Sequence, residues 1–187
     1  MTLVVYAKGE LVADQAGMAI LPLGSELGCK VSTPVSMVKL YVSRDKKIAF
    51  AYTGDEIDFK SPAFTKQIKI FRRVLSRVKG DASGVSIRAA VLEEYSGLIA
   101  YVMTAEQCYI LENTKRDDLG LLVTTLFPIP HESHHCHGSG RDIADLLLNT
   151  ESVASVDELY SKVAVFDCAV RPYPLSRIAH SDLKPLS

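Results

Sequence analysis

The sequence predicts one α+β domain over residues 1–187, built of antiparallel strands with helices laid against them. Three observations carry that expectation. Short apolar, partly β-branched runs recur between Gly, Asn, Asp and Pro, the pattern of strands joined by turns. Phe64, Ile68, Phe71, Leu75 and Val78 recur at steps of four and three, one apolar face of a helix. The order strands, helix, strands, helices is that of a layered α+β protein. With 187 residues, 48% of them hydrophobic, the chain suits one core that buries about 70% of the unfolded surface.

Leu3–Ala7 and Leu11–Ala13 flank Lys8-Gly9-Glu10 and read as a hairpin of two buried strands. Residues 15–34 carry Gly17, Gly24, Gly28 and two prolines and read as loop or irregular strand. Val35–Val42 alternates weakly, with Lys39 between Val38 and Leu40. A charged turn, Arg44-Asp45-Lys46-Lys47, leads into a buried strand, Ile48–Tyr52, that ends at Thr53-Gly54. This second hairpin is expected to pair with the first and start an antiparallel sheet.

Ser61 and Pro62 open the helix as N-cap and first helical residue, and Gly80 closes it. Its other side is basic, with Lys66, Lys69, Arg72, Arg73, Arg77 and Lys79. That side reads either as a solvated face or as a surface for a ring neighbour or an acidic ligand. Val85–Leu92, Leu98–Thr104, Gln107–Leu111 and Leu121–Phe127 read as further strands, the last ended by Pro128 and Pro130. Arg141–Leu148 is helical. Ser155 caps a helix over Val156–Phe166, with Glu158 as capping-box partner, and Leu175–Ala179 reads as a final edge strand.

A net charge of −1 argues against a general affinity for nucleic acid or for an anionic membrane. No apolar run is long enough to span a bilayer, and Met-Thr-Leu-Val-Val lacks the basic start of a signal peptide. Cys29, Cys108, Cys136 and Cys168 are scattered without a CxxC pair and read as reduced thiols in a cytoplasm. No nucleotide-binding loop is present, and no cofactor is expected.

The first fourteen residues hold the chemistry. An antiparallel hairpin turning near Gly9 returns Asp14 beside Thr2, and Thr2 is preceded by a single Met. Removal of Met1 leaves a threonine hydroxyl beside a free α-amine, the pairing in which an N-terminal amine activates a nucleophile. The plain alternative is that Thr2 merely begins an edge strand. Lys39, flanked by Val38 and Leu40, is costly to bury unless paired, and Asp14 would be the partner; the plain alternative is that Lys39 points to solvent on the polar face. Lys30 is a rival by sequence distance. Gly54 can bring a backbone N–H close to a substrate, or be an ordinary turn glycine.

Thr2, the hairpin through Gly9, Ala13-Asp14, Lys39-Leu40-Tyr41, Thr53-Gly54-Asp55 and a late Gly138-Ser139-Gly140-Arg141-Asp142 before a helix stand in a recognisable order. In these motifs the chain resembles the proteasome-type N-terminal-nucleophile hydrolases, closest to the small proteasome-like proteins of bacteriophage genomes. The resemblance implies a four-layer αββα sandwich, with Thr2 as nucleophile, Asp14 and Lys39 flanking it, and Gly54 as oxyanion donor. Ser139 and Asp167 would orient the threonine amine. It further implies a peptide or amide substrate, no cofactor, a homo-oligomeric ring or stack of rings, and a cytoplasmic setting, that of the host if phage-encoded. Two departures stand out: residues 15–34 form an insertion, and Val170 stands where a Ser or Thr is usual about three residues after Asp167. The alternative is an inactive relative, kept as an oligomeric scaffold or to bind a host protein through the basic helix over residues 62–79.

His131, His134, His135, Cys136 and His137 crowd into one Pro-flanked loop. Imidazole and thiolate groups at such spacing suit zinc or a similar ion. No second cluster completes a framework, so the preferred reading is a solvated loop near the rim of the site; if the residues act, a pH-sensitive contact stands level with a metal.

Overall fold

Leu3, Val5 and Val12 point to one side of the first hairpin and Val4, Tyr6, Leu11 and Ala13 to the other, all without solvent exposure. Strand side chains alternate between faces, so a hairpin apolar on both sides needs a packed layer on each. The computed structural model describes residues 3–23, 29–54, 57–78, 85–167, 169–172 and 174–186, with backbone alone over 16–35. Its elements run β1 (Leu3–Ala7), β2 (Glu10–Asp14), β3 (Ala16–Leu23), β4 (Cys29–Ser36), β5 (Leu40–Val42), β6 (Ala49–Tyr52) and α1 (Pro62–Leu75). There follow β7 (Ile87–Ala90), β8 (Ile99–Met103), β9 (Cys108–Arg116), β10 (Leu122–Ile129), β11 (His134–Gly138), α2 (Arg141–Asn149), α3 (Val156–Phe166) and β12 (Leu175–Ala179).

The fold is mixed, with two main antiparallel sheets and three helices among the described residues. One sheet has the order β11-β1-β2-β12 and the other β5-β6-β8-β9-β10-β7, while β3 and β4 pair only with each other. One apolar cluster joins Val4, Tyr6, Leu11 and Ala13 to Ala49, Ala51, Tyr101, Met103 and Ile110 of the six-stranded sheet. The other face of that sheet meets α1, through Phe50, Tyr52, Phe64, Ile68, Phe71 and Leu75. Leu3, Val5, Val12 and Cys136 pack with Ala144 of α2 and with Leu159, Tyr160 and Val163 of α3.

The helix starts follow the sequence. Ser61 Oγ accepts from Phe64 N at 3.0 Å with Pro62 next to it, and Ser155 Oγ accepts from Glu158 N at 3.2 Å. The reciprocal bond of Glu158 goes to Ala154 N, at 2.8 Å, one residue before the cap. Buried Gln67 ties α1 to the strand beneath it, donating to Ala90 O at 3.2 Å and accepting from Leu92 N at 2.8 Å.

Several expectations are corrected. The two N-terminal hairpins do not pair edge to edge: β1–β2 and β5–β6 lie in different sheets and meet face to face through their apolar side chains. The segment after Asp14 is an antiparallel hairpin with Ala16 opposite Ser36 and Leu23 opposite Cys29, although Gly17 and Pro22 disfavour strand. The span Val35–Val42 divides, β4 ending at Ser36 and β5 starting at Leu40, so Lys39 lies just before a strand. β9 continues past Leu111 to Arg116, where a register shift opposite Val123 and Thr125 absorbs Asn113 at φ +56. Residues 134–138 are a strand, paired along all of β1, and not a loop. α1 ends at Leu75; Gly80 lies outside the described residues, as does Lys79.

After β12 the chain is anchored by His180. Its Nδ1 lies 2.7 Å from Thr104 O, which only accepts, so Nδ1 carries the proton and the neutral ring takes the Tyr6 hydroxyl on Nε2 at 3.0 Å. Burial and the His131 ring, 4.4 Å away, hold the pKa of His180 below its usual value, opposed in part by the Thr104 carbonyl. His135 and His137 are lowered as well, chiefly by burial and by Arg141. Below about pH 6.5 the unfolded chain therefore binds more protons than the folded one. Stability should be full above that pH and fall as pH drops toward the depressed folded values, by up to about 1.4 kcal/mol per pH unit per histidine. Urea midpoints at several pH values test this, and His180→Gln should reduce the slope.

Candidate functional site

The ends of two sheets place the residues singled out by sequence. β1 begins at Leu3, whose register partner on β11 is Gly138, and Val4 faces Ala13 on β2, so Asp14 closes β2 at the same end. On the other sheet Lys39 stands immediately before Leu40. Ala13, next to Asp14, and Leu40, next to Lys39, belong to the apolar cluster shared by the two sheets.

Both charged residues are fully shielded from solvent. The Lys39 ammonium donates to Gly54 O at 2.8 Å and lies 5.2 Å from the centre of the Tyr52 ring. Tyr52 is itself fixed, because its hydroxyl donates to Val38 O and its amide to Lys39 O at 3.1 Å. Lys39 and Tyr52 thus brace the turn that carries Gly54. Gly54 has φ +95, a backbone conformation that demands glycine; a Cβ there would meet only Leu98 Cδ2, at 2.9 Å, the end of a side chain that can turn away.

Around Asp14, Arg171 N donates to Oδ2 at 3.3 Å, and Leu175 of β12 is its register neighbour. Tyr160 of α3 donates its hydroxyl toward Leu3 O and Val12 O, both at 2.9 Å, clamping the helix to the first hairpin at this end. Burial raises the Tyr160 pKa well above the phenolic range, with Asp14 adding to the effect, so the hydroxyl stays a donor.

Ser139 is exposed between Gly138 and Gly140 at the entry to α2. Asp167, which follows α3, is half-buried and accepts from Ala169 N at 2.9 Å. A Cβ on Gly140 would stand 2.6 Å from Val163 Cγ1, 3.0 Å from Val170 Cγ2 and 3.7 Å from Asp167 Oδ2. The serine loop, Asp167 and Val170 therefore meet at Gly140. Thr2 lies outside the described residues, and so does Asp55.

The histidine cluster does not converge. His135 and His137 stand opposite Tyr6 and Val4, whose side chains enter the seam between sheets, whereas Cys136 packs with α2 and α3. Tyr101 Oη lies 2.7 Å from His135 Nδ1 and donates to His135 O at 3.2 Å, an inward use of the ring. Among the described residues no group of three or more His, Cys, Asp or Glu is arranged to hold a metal ion. Cys108 and Cys136 are free thiols, both buried and raised in pKa by desolvation.

Sequence reasoning missed Tyr160 and Tyr52. Tyr160 sits among the apolar residues of α3, and the signal was only that a buried tyrosine tip needs a partner. Tyr160→Phe removes the one hydroxyl proton shared between Leu3 O and Val12 O and should cost about 1–3 kcal/mol in a denaturant midpoint. Gly140→Ala should cost about 1–3 kcal/mol by overpacking against Val163. A double-mutant cycle with Val163→Ala should show the two changes to be coupled, the smaller side chain absorbing the added methyl.

No family profile and no curated protein matches the chain. Among solved structures, eukaryotic HslV from Trypanosoma brucei aligns over 96% of this chain and 99% of its own, with a TM-score of 0.45 and 11% identity. A TM-score under 0.5 is too low to carry fold or function from one chain to the other.

Proposed function

We propose that the chain is a threonine-type N-terminal-nucleophile hydrolase of peptide or amide bonds, an αββα four-layer sandwich that acts after loss of Met1. The observation that carries this reading is Lys39, fully shielded from solvent with its ammonium on the Gly54 carbonyl. A buried ammonium costs several kcal/mol to desolvate, and an apolar side chain would fill the volume more cheaply. Such a charge is expected where it does chemistry.

In the proposed mechanism the Thr2 hydroxyl attacks the carbonyl carbon while the freed α-amine takes its proton, directly or through a water, and hands it to the departing amine as the C–N bond breaks and the acyl-enzyme forms. That amine titrates near about 7.7, suited to a base at neutral pH. The Lys39 charge favours the ionised or hydrogen-bonded hydroxyl, and Asp14 makes the buried ammonium tolerable. The Gly54 N–H serves the oxyanion. Ser139 and Asp167 orient the amine, which then activates the water that hydrolyses the acyl-enzyme. The working form is a homo-oligomeric ring or stack of rings in a cytoplasm.

A second reading, an inactive scaffold or partner-binding relative, is favoured by Val170. That side chain is 3% exposed within the cluster of Leu3 and Val163, and it puts methyl groups where the resembled family carries a hydroxyl.

Intact mass of untagged protein, followed by an electrophile that esterifies N-terminal threonine, separates the two. The hydrolase reading expects a mass short by one Met and a single adduct that Thr2→Ala abolishes. Full mass without adduct overturns it in favour of the scaffold.

A further inference from the structure

The outward face of α1 is a row of cations with nothing of opposite sign on the helix. Its exposed residues are Pro62, Thr65, Lys66, Lys69 and Arg73, continued past the helix end by Arg77, and no acidic residue occurs between Pro62 and Leu75. Lys66, Lys69 and Arg73 follow one another at i, i+3 and i+7, along about 10 Å of one side of the helix. Arg72 differs from them: it is partly buried and its guanidinium is taken by Asp45, so it belongs to the fold.

The row does not serve packing. The inward face is already committed, with Phe64, Ile68, Phe71 and Leu75 in the core and Gln67 bonded to Ala90 and Leu92. Like charges at i, i+3 and i, i+4 repel on a helix; the dipole offsets this for Arg73 in the last turn but not for Lys66 and Lys69, which work against the element that carries them. A local rule broken without return inside the fold points to a use outside it.

From these observations we infer that the Lys66–Lys69–Arg73 face of α1 docks an acidic polypeptide segment. Carboxylates at i, i+3 or i, i+4 of a partner repeat at about 5–6 Å, the interval of these cations. The aromatic rings near α1 (Tyr41, Phe50, Phe59, Phe64, Tyr95) are engaged with one another, which leaves the exposed face without a platform for stacked bases. The exposed face also lacks a large apolar residue to enter a lipid surface. With a net charge of −1 the chain as a whole does not draw polyanions; the patch acts locally. This inference stands apart from the hydrolase reading, because α1 covers the face of the six-stranded sheet opposite the one that packs on the first hairpin.

The test is fluorescence anisotropy of labelled poly-L-glutamate with the full chain, beside duplex DNA and phosphatidylserine vesicles. The proposal expects poly-L-glutamate to bind and to weaken about tenfold or more between about 20 and 200 mM salt. It expects binding to be lost in the triple variant Lys66→Gln, Lys69→Gln, Arg73→Gln and kept in Lys115→Gln, a control on β9. Because glutamine is nearly as good a helix former as lysine, the triple variant should melt at the same temperature or higher. No binding at low salt, binding retained by the triple variant, or tighter binding to DNA or vesicles would each overturn the proposal. So would a clear drop in melting temperature of the triple variant, which would return the cations to a role in the fold.

Discussion

Both faces of the β1–β2 hairpin are apolar and closed to solvent, and the rest of the architecture follows from covering them. Val4, Tyr6, Leu11 and Ala13 demand the six-stranded sheet on one side, and Leu3, Val5 and Val12 demand α2 and α3 on the other. The six-stranded sheet then has an outer face of its own, which α1 closes with Phe64 and Phe71. Any polar group within this frame must find a partner in place. That is why its long polar side chains act as ties: Tyr160 joins α3 to Leu3 and Val12, His180 joins the C-terminal segment to Tyr6 and Thr104, and Lys39 braces the Gly54 turn.

What the sequence made legible was local. Leu3–Ala7, Val156–Phe166 and Leu175–Ala179 have the bounds expected from their patterns, because cap residues and apolar periodicity act within a few residues. The pairing of sheets was not legible: a strand buried on both faces looks the same whether its neighbour lies beside it or on top of it. His134–Gly138 was missed for a different reason. His and Gly are weak strand formers, and this segment is a strand because β1 offers it an edge along its whole length.

At the site, Lys39 and Asp14 could be read as a buried charge and its compensation from the apolar neighbours of each, and both are indeed shielded completely. Their tethers could not be read. Tyr52 lies 13 residues beyond Lys39 in sequence and Arg171 lies 157 beyond Asp14, and neither distance leaves a local signature. Gly54 and Gly140 illustrate two kinds of demand on glycine. The first needs a positive φ; the second needs room for Val163 and Val170 to approach the α2 entry.

Position 170 decides how much of a threonine-hydrolase mechanism this frame can support. A threonine there would be nearly isosteric with Val170, so volume does not forbid a hydroxyl; the environment does. Val170 packs with Leu3, Val163 and Tyr160, where a hydroxyl without a partner is costly. The Asp167 carboxylate already accepts from the Ala169 amide, while Val170 N closes the same turn on Asp167 O at 3.0 Å. The turn is thus held by main chain where a side-chain network would otherwise hold it. The proposed hydrolase would therefore have to orient its amine through Asp167 and Ser139 without a hydroxyl at residue 170. In the proposed hydrolase, more of the catalytic weight would then fall on Lys39 and Gly54, which are braced from several directions.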